Sequence, residues 1–186
     1  MKKLAVFISG FGSNLQTIAE FCQQNPNFAQ IHVVISNKPN VNGLKIAESF
    51  GIPSVVIPTK GIKIEDFESQ CENHLNGVDL ICLAGFMRFL SQYFTTKCHN
   101  KMINIHPSLL PSFKGSHALQ DAISFGVKIT GCTVHFVEKE IDAGEIIIQE
   151  AIVIENFDNE QTLRTKMQIA EQTAYTKALK QIIGVN

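Results

Sequence analysis

The stretch LAVFISGFGSNL, Leu4 to Leu15, decides how the rest of the chain is read. Leu4–Ile8 is an unbroken apolar run, the pattern of a strand buried on both faces. Gly10 and Gly12 follow it. Leu15, Ile18, Ala19 and Cys22 then fall at i, i+3, i+4 and i+7, the spacing of an amphipathic helix. Strand, glycine turn and helix together form the opening unit of a parallel α/β sheet. The glycines allow close backbone approach, and the helix start offers unpaired N–H groups to an anion. Ser13 or Asn14 is the candidate N-cap or extra donor.

The alternation continues. Ile31–Ile35, Val55–Ile57, Leu80–Ala84 and Met102–Ile105 read as strands, and Leu44–Phe50 and the Ile64, Phe67, Cys71, Leu75 stripe as helices. Repeated buried strands and helices imply right-handed crossovers and a mostly parallel sheet with helices on both faces. After about residue 128 the pattern changes. Ile129–Val137 and Ile146–Ile154 are strand-like around the polar loop EKEIDAGE, and are expected to pair antiparallel at the far side of the sheet. Leu163, Met167, Ala170, Ala174, Ala178 and Ile182 mark one long C-terminal helix. No linker or repeat interrupts the chain, so residues 1–186 read as one domain.

The bulk numbers fit. The chain has 186 residues, 45% of them hydrophobic and 18% charged, enough for one domain with a sizeable core. A net charge of −1 gives no bulk case for nucleic acid or an anionic membrane. Cys22, Cys71, Cys82, Cys98 and Cys132 form no CxxC pair, which suits a reducing cytoplasm. The apolar run after Lys2 and Lys3 is too short for a signal peptide, and no run is long enough for a membrane span.

In open α/β sheets ligands sit outside the carboxyl ends of the strands. Three groups meet there: the Ser9-Gly10 turn, Ala84-Gly85, and the polar pair Asn104 and His106. The glycine turn lacks the third glycine of a dinucleotide fingerprint, with Leu15 in its place, and the second strand ends in Ser36-Asn37 rather than an acid. A single phosphate on a small substrate fits better. Asn104 and His106, two apart on a strand, point to one side. An amide and an imidazole there can donate to one developing oxyanion. Pro107 fixes the exit of that strand, and Leu110-Pro111 is a candidate cis bond. GxSxG is absent and no cysteine has a motif partner, which favours direct transfer between two bound substrates. The carboxylate that orients the imidazole is sought in EKEIDAGE: Asp142 is favoured by its Ala143-Gly144 turn, with Glu140 and Glu138 as alternatives. The other five histidines read mostly as structural, and no metal pattern is present.

ISGFGSNL, LAGFMRFL, NIHPSLLPSFKG, GVKITGCTVHFV and IDAGEIIIQ stand in the order seen in the folate-dependent glycinamide ribonucleotide formyltransferases of purine synthesis. The chain resembles that family over nearly its whole length. NIHPSLLP followed by the Asp-Ala-Gly loop is specific to enzymes using 10-formyltetrahydrofolate, and GSN after the first strand narrows the likeness to the ribonucleotide branch. The resemblance implies a three-layer formyltransferase fold with a Rossmann-like, mostly parallel sheet and an antiparallel C-terminal portion. It also implies a phosphate-binding half, residues 1–100, and a catalytic, folate-binding half, residues 101–186. The implied reaction moves the formyl group of 10-formyltetrahydrofolate to the amine of glycinamide ribonucleotide through a tetrahedral intermediate.

Matched residue by residue, Asn104 and His106 would stabilise the oxyanion, and Asp142 would orient His106 and help carry a proton. Gly10, Gly12, Ser13 and Asn14 would hold the phosphate, Pro107 would line the substrate amide, and Glu171 would bind the ribose hydroxyls. Met87, Arg88, Phe89 and Leu90 would border the folate, together with the loop of Glu138, Lys139, Glu140, Ile141 and Asp142. No metal is implied. The expected partners are these two small molecules, without nucleic acid or membrane, on a cytoplasmic monomer or weak homodimer. Phe11, Phe89, Gln172 and Thr176 depart from the family pattern.

Two relatives share the HPSLLP region. Methionyl-tRNA formyltransferase carries a further C-terminal domain, and formyltetrahydrofolate hydrolase an N-terminal regulatory one, so the small ribonucleotide is the expected acceptor. A non-catalytic nucleotide-binding domain would keep the glycine turn without the Asn, His and Asp set.

Overall fold

Strand β1 (Lys2–Ile8) is paired in parallel on both sides, with β2 (Ala29–Ser36) and with β4 (Leu80–Leu83). Its two edges are therefore satisfied, and both of its faces are covered by apolar cores. Leu4, Val6 and Ile8 enter one core, while Ala5 and Phe7 enter a second core on the opposite side. This accounts for the unbroken apolar run.

The computed structural model describes residues 1–185; Asn186 lies outside the described residues. Seven strands form one sheet in the order β3-β2-β1-β4-β5-β6-β7, with β3 at Ser54–Val56, β5 at Met102–His106, β6 at Ile129–Phe136 and β7 at Ile146–Val153. The first five strands are parallel; β6 is antiparallel to β5, and β7 is antiparallel to β6. The chain moves outward from β1 to β2 and β3, then returns to β4 on the other side of β1. That reversal opens a crevice at the carboxyl ends of β1 and β4.

Helices α1 (Ser13–Gln24), α2 (Asn42–Ser49) and α6 (Glu160–Ile183) build the first core, through residues such as Leu15, Ile18, Ala47, Leu163 and Met167. The α6 stripe repeats at three to four residues, as a helix laid along a sheet requires. Its start is fixed by a capping box between Asn159 and Thr162. Buried Tyr175 on α6 donates its hydroxyl to the Leu83 carbonyl at 3.0 Å, fastening the helix to β4. Among the described residues no helix is long and apolar enough to cross a membrane.

The second core rests on α3 (Ile64–Glu72) and α4 (Gln92–Lys97). The Phe7 and Phe86 rings meet edge to face at 5.4 Å, Phe86 stacks on Phe67 at 5.9 Å, and Arg88 lies 5.7 Å from the Phe67 ring centre. This column holds the segment leaving β4. α4 and α5 (Ala118–Phe125) are absent from the sequence reading. α4, with six residues, is too short to show a helical period.

Phe67 is fully buried at the centre of that column. Phe67→Ala is expected to cost about 3–5 kcal/mol in equilibrium urea unfolding. A loss under about 1 kcal/mol would mean the column relaxes around the gap.

Candidate functional site

On its first face, β6 and β7 are covered by α6. On the second face Asn104 and His106 of β5 meet loops instead of a helix. Ile103 and Ile105 alternate with them and face the first core. A polar pair is admitted here because loop backbone and side chains can satisfy it.

His106 is almost wholly buried. Its Nε2 lies 2.8 Å from the Phe113 carbonyl oxygen, which can only accept, so Nε2 carries a hydrogen. Its Nδ1 is turned to the Asp142 carboxylate at 3.3 Å. Asp142, rather than Glu138 or Glu140, is thus the loop carboxylate that turns inward; Glu138, Lys139, Glu140 and Ile141 are exposed. Asp142 also accepts from the Gly115 N–H at 2.9 Å. Its φ of 50° is left-handed, a conformation that Asp tolerates better than most residues.

The strand exit is tied down from below. The buried Thr133 hydroxyl donates to the Ser108 carbonyl at 2.7 Å and accepts from the Leu110 N–H at 3.0 Å. Gln149 Nε2 donates to the Leu110 carbonyl at 2.9 Å. The Leu110–Pro111 bond is cis. Thr133 stands opposite His106 in the β5–β6 register, so the strand that pairs with the imidazole also anchors the loop beyond it.

His135 was read as structural from sequence, yet it belongs to this cluster. It stands opposite Asn104 in the antiparallel register. Its Nε2 lies 3.3 Å from Asn104 Nδ2 and 3.7 Å from Asp142 Oδ1, and its Nδ1 lies 2.8 Å from the Phe136 carbonyl oxygen. Burial pushes this imidazole below its ordinary value, more than the Phe136 carbonyl and Asp142 pull it up. Only the strand register could have announced this, and a sequence read alone does not contain it.

At the β1 exit, the residue preceding α1 is Gly12, at φ 90°. Neither Ser13 nor Asn14 caps the helix; both lie inside it. A Cβ on Gly12 would stand 2.6 Å from the Gly43 Cα, so the turn packs against α2 too closely for a side chain. Among the described residues no side chain caps α1, which leaves the helix start open toward an anion. Gly10 is half-buried in the same turn. Asn14 Nδ2 donates to Glu171 Oε2 on α6 at 3.0 Å, so these two expected substrate residues do meet, 157 positions apart. Asn14 Oδ1 is buried and has no partner among the described residues.

At the β4 exit, the Met87 N–H donates to Ser9 Oγ at 2.8 Å, joining the two strand exits. Met87 and Phe89 are exposed, and Leu90 packs against the second core. The Arg88 guanidinium turns to the Thr59 carbonyl at 3.1 Å. Pro107 is half-buried directly after His106. Among the described residues no cluster of His, Cys, Asp or Glu is arranged to hold a metal ion.

Burial pushes the Glu171 carboxyl up, against the lowering effect of the Asn14 bond. A carboxyl raised in the folded chain supports folding while protonated. That support is present below the ordinary value of 4.5 and is lost as pH rises through the raised one. Glu171→Gln cannot ionise, and is expected to melt higher than the parent near neutral pH and to converge with it in acid. Equal or lower melting at neutral pH would show that the carboxylate is well solvated.

A family model described as formyl transferase matches residues 2–179. The human trifunctional purine biosynthetic protein adenosine-3 is 48% identical over 96% of this chain, which spans 18% of that protein. The chain therefore covers less than a fifth of the trifunctional relatives it matches. A phosphoribosylglycinamide formyltransferase of Bacillus subtilis is 37% identical over 100% of this chain and 97% of its own length. Among solved structures, glycinamide ribonucleotide transformylase 1 from Symbiobacterium toebii superposes with a TM-score of 0.94 at 36% identity, covering 99% of this chain and 88% of that one. The phosphoribosylglycinamide formyltransferase of Anaplasma phagocytophilum gives 0.90 at 44% identity, over 98% and 87%.

Proposed function

The chain belongs to the formyl transferase family, and we propose that it transfers the formyl group of 10-formyltetrahydrofolate to the amine of glycinamide ribonucleotide. The observation that carries this reading is the contact of Asp142 with His106, beside Asn104 on the same strand face. An imidazole, an amide and a carboxylate converge where a carbonyl could be received, next to a turn suited to a phosphate.

In this reading Gly10, Gly12, Ser13 and Asn14 hold the phosphate, and Glu171 holds the ribose hydroxyls. Pro107 borders the substrate amide. The backbone of Met87, Arg88, Phe89 and Leu90 and the loop from Glu138 to Asp142 frame the folate. The substrate amine nitrogen attacks the formyl carbon, and the carbonyl electron pair moves onto oxygen. Asn104 donates an Nδ2 hydrogen to that oxyanion, and His106 releases the Phe113 carbonyl to donate its Nε2–H there. Asp142 keeps the His106 ring in place and, through water, passes the proton lost by the amine to the departing folate nitrogen. The formyl carbon–nitrogen bond to the folate breaks as the new one is kept, and charge balances.

Holding both substrates in one orientation supplies up to about 7–11 kcal/mol of the barrier. Each oxyanion donor is worth about 2.7–4 kcal/mol. The two small molecules are the proposed partners. The thiol content supports a reducing compartment, the cytoplasm.

The assay follows release of free folate by absorbance, with glycinamide ribonucleotide, with methionyl-tRNA and with water alone. Release that requires the ribonucleotide supports the reading; release indifferent to the acceptor would make the protein a hydrolase. Asn104→Ala and His106→Ala are each expected to lower kcat about a hundredfold or more, and Asp142→Asn as much with the fold intact. Near-parental kcat in both alanine variants would remove these residues from the chemistry.

A further inference from the structure

We propose that His135 is a positioning residue that sets which way the Asn104 amide faces, and so which of its atoms meets the reacting carbonyl; the catalytic part rests on the formyl-transfer reading above. A primary amide has two orientations of similar shape. One presents N–H to the site and the other presents oxygen. Only the first can stabilise an oxyanion. Something must choose between them.

The choice follows from a chain of hydrogen bonds. The Phe136 carbonyl, 2.8 Å from His135 Nδ1, is an acceptor only, so Nδ1 carries a hydrogen. In a neutral ring Nε2 is then a bare lone pair. That lone pair faces Asn104 Nδ2 at 3.3 Å and can only accept. One Nδ2 hydrogen is thereby committed to His135, and its geminal partner is left for the site. The reversed amide would set Oδ1 against the same lone pair, acceptor against acceptor, inside a buried cluster. His135 is 2% exposed, so water does not offer a substitute donor. Asp142, His106 and Lys114 are the charged or titratable groups that act on it.

The mechanism does not otherwise use this ring. Asp142 Oδ1 stands at 3.7 Å from the same Nε2 and, being an acceptor, offers it nothing while it is neutral. A hydrogen on Nε2 would reverse both relations. It would turn to Asp142 and favour the amide oxygen of Asn104 in place of its N–H.

The first test uses the whole wild-type protein labelled with nitrogen-15 at histidine. Long-range proton–nitrogen spectra at neutral pH are expected to show His135 neutral with its hydrogen on Nδ1. A hydrogen on Nε2, or an imidazolium, overturns the proposal whatever reaction the protein performs. The second test is kinetic. His135→Leu keeps volume without an acceptor and is expected to lower kcat about tenfold, with KM for both substrates changed less than about threefold. His135→Gln supplies an acceptor oxygen near the former Nε2 and is expected to recover kcat to within about fivefold of the parent. In an Asn104→Ala background, His135→Leu should cost about twofold or less, because the residue it acts through is gone. Full additivity overturns the proposal. So does a His135→Gln protein that folds and is as slow as the leucine variant. If the parent transfers no formyl group, the functional reading fails, and the spectrum still decides the tautomer.

Discussion

The Asp142 carboxylate holds together parts of the molecule that no helix or strand would hold. It accepts from the Gly115 N–H and pairs with His106, so it joins the loop leaving β5 to the loop leaving β6. The bond from Gly115, at 2.9 Å, is the tighter of the two, and the imidazole stands at 3.3 Å. Without it, the buried imidazole would keep its Phe113 contact and lose its partner on the other side. The loop that carries Asp142 is fastened just beyond it. A Cβ on Gly144 would stand 1.9 Å from the Phe136 carbonyl oxygen, so only glycine permits the chain to pass there.

The sheet explains why a polar cluster can exist in an interior so apolar. Strands β1, β2, β4 and β5 face the first core on one side, but the second core ends near Met102. Beyond it the second face of β5 and β6 meets loop backbone, which is rich in donors and acceptors. Asn104, His106 and His135 therefore occupy positions where an apolar residue would have faced unpaired carbonyls. The Thr133 and Gln149 bonds beneath them keep the loop at fixed height above the strands. Two rigid supports, strand below and tied loop above, would spare the proposed oxyanion site from reorganising as charge develops.

Much of this was written locally in the chain. The runs at Leu4–Ile8 and Leu80–Ala84 announce strands because burial on both faces leaves no polar position, and Met102–Ile105 breaks that rule only at Asn104. The change of sheet direction after residue 128 shows as alternation. Asn104 and His106 stand out because a polar pair in such a run needs a reason. The family resemblance carried the rest of the residue assignments. What stayed illegible is non-local or short. α4 spans six residues and offers only Phe94 and Thr95 as a buried face. The capping of α1 by Gly12, in place of Ser13 or Asn14, depends on α2 packing against the turn. The partnership of His135 with Asn104 depends on which residues face each other across two strands, and that register is a property of the folded sheet.

The place of α6 bears on how the protein comes to be made. Glu171, which meets Asn14 of α1, is carried by the last helix, and that helix supplies Leu163, Met167, Ala174 and Ala178 to the first core. A chain emerging from the ribosome offers the β1–α1 unit first and α6 last. Until α6 arrives, the first face of β6 and β7 and the side of α1 turned to α6 have nothing to lie against. Nascent intermediates therefore expose apolar surface on that side of α1 and on the last two strands. The helix made last is thus the one that closes the first core over strands from both halves of the chain.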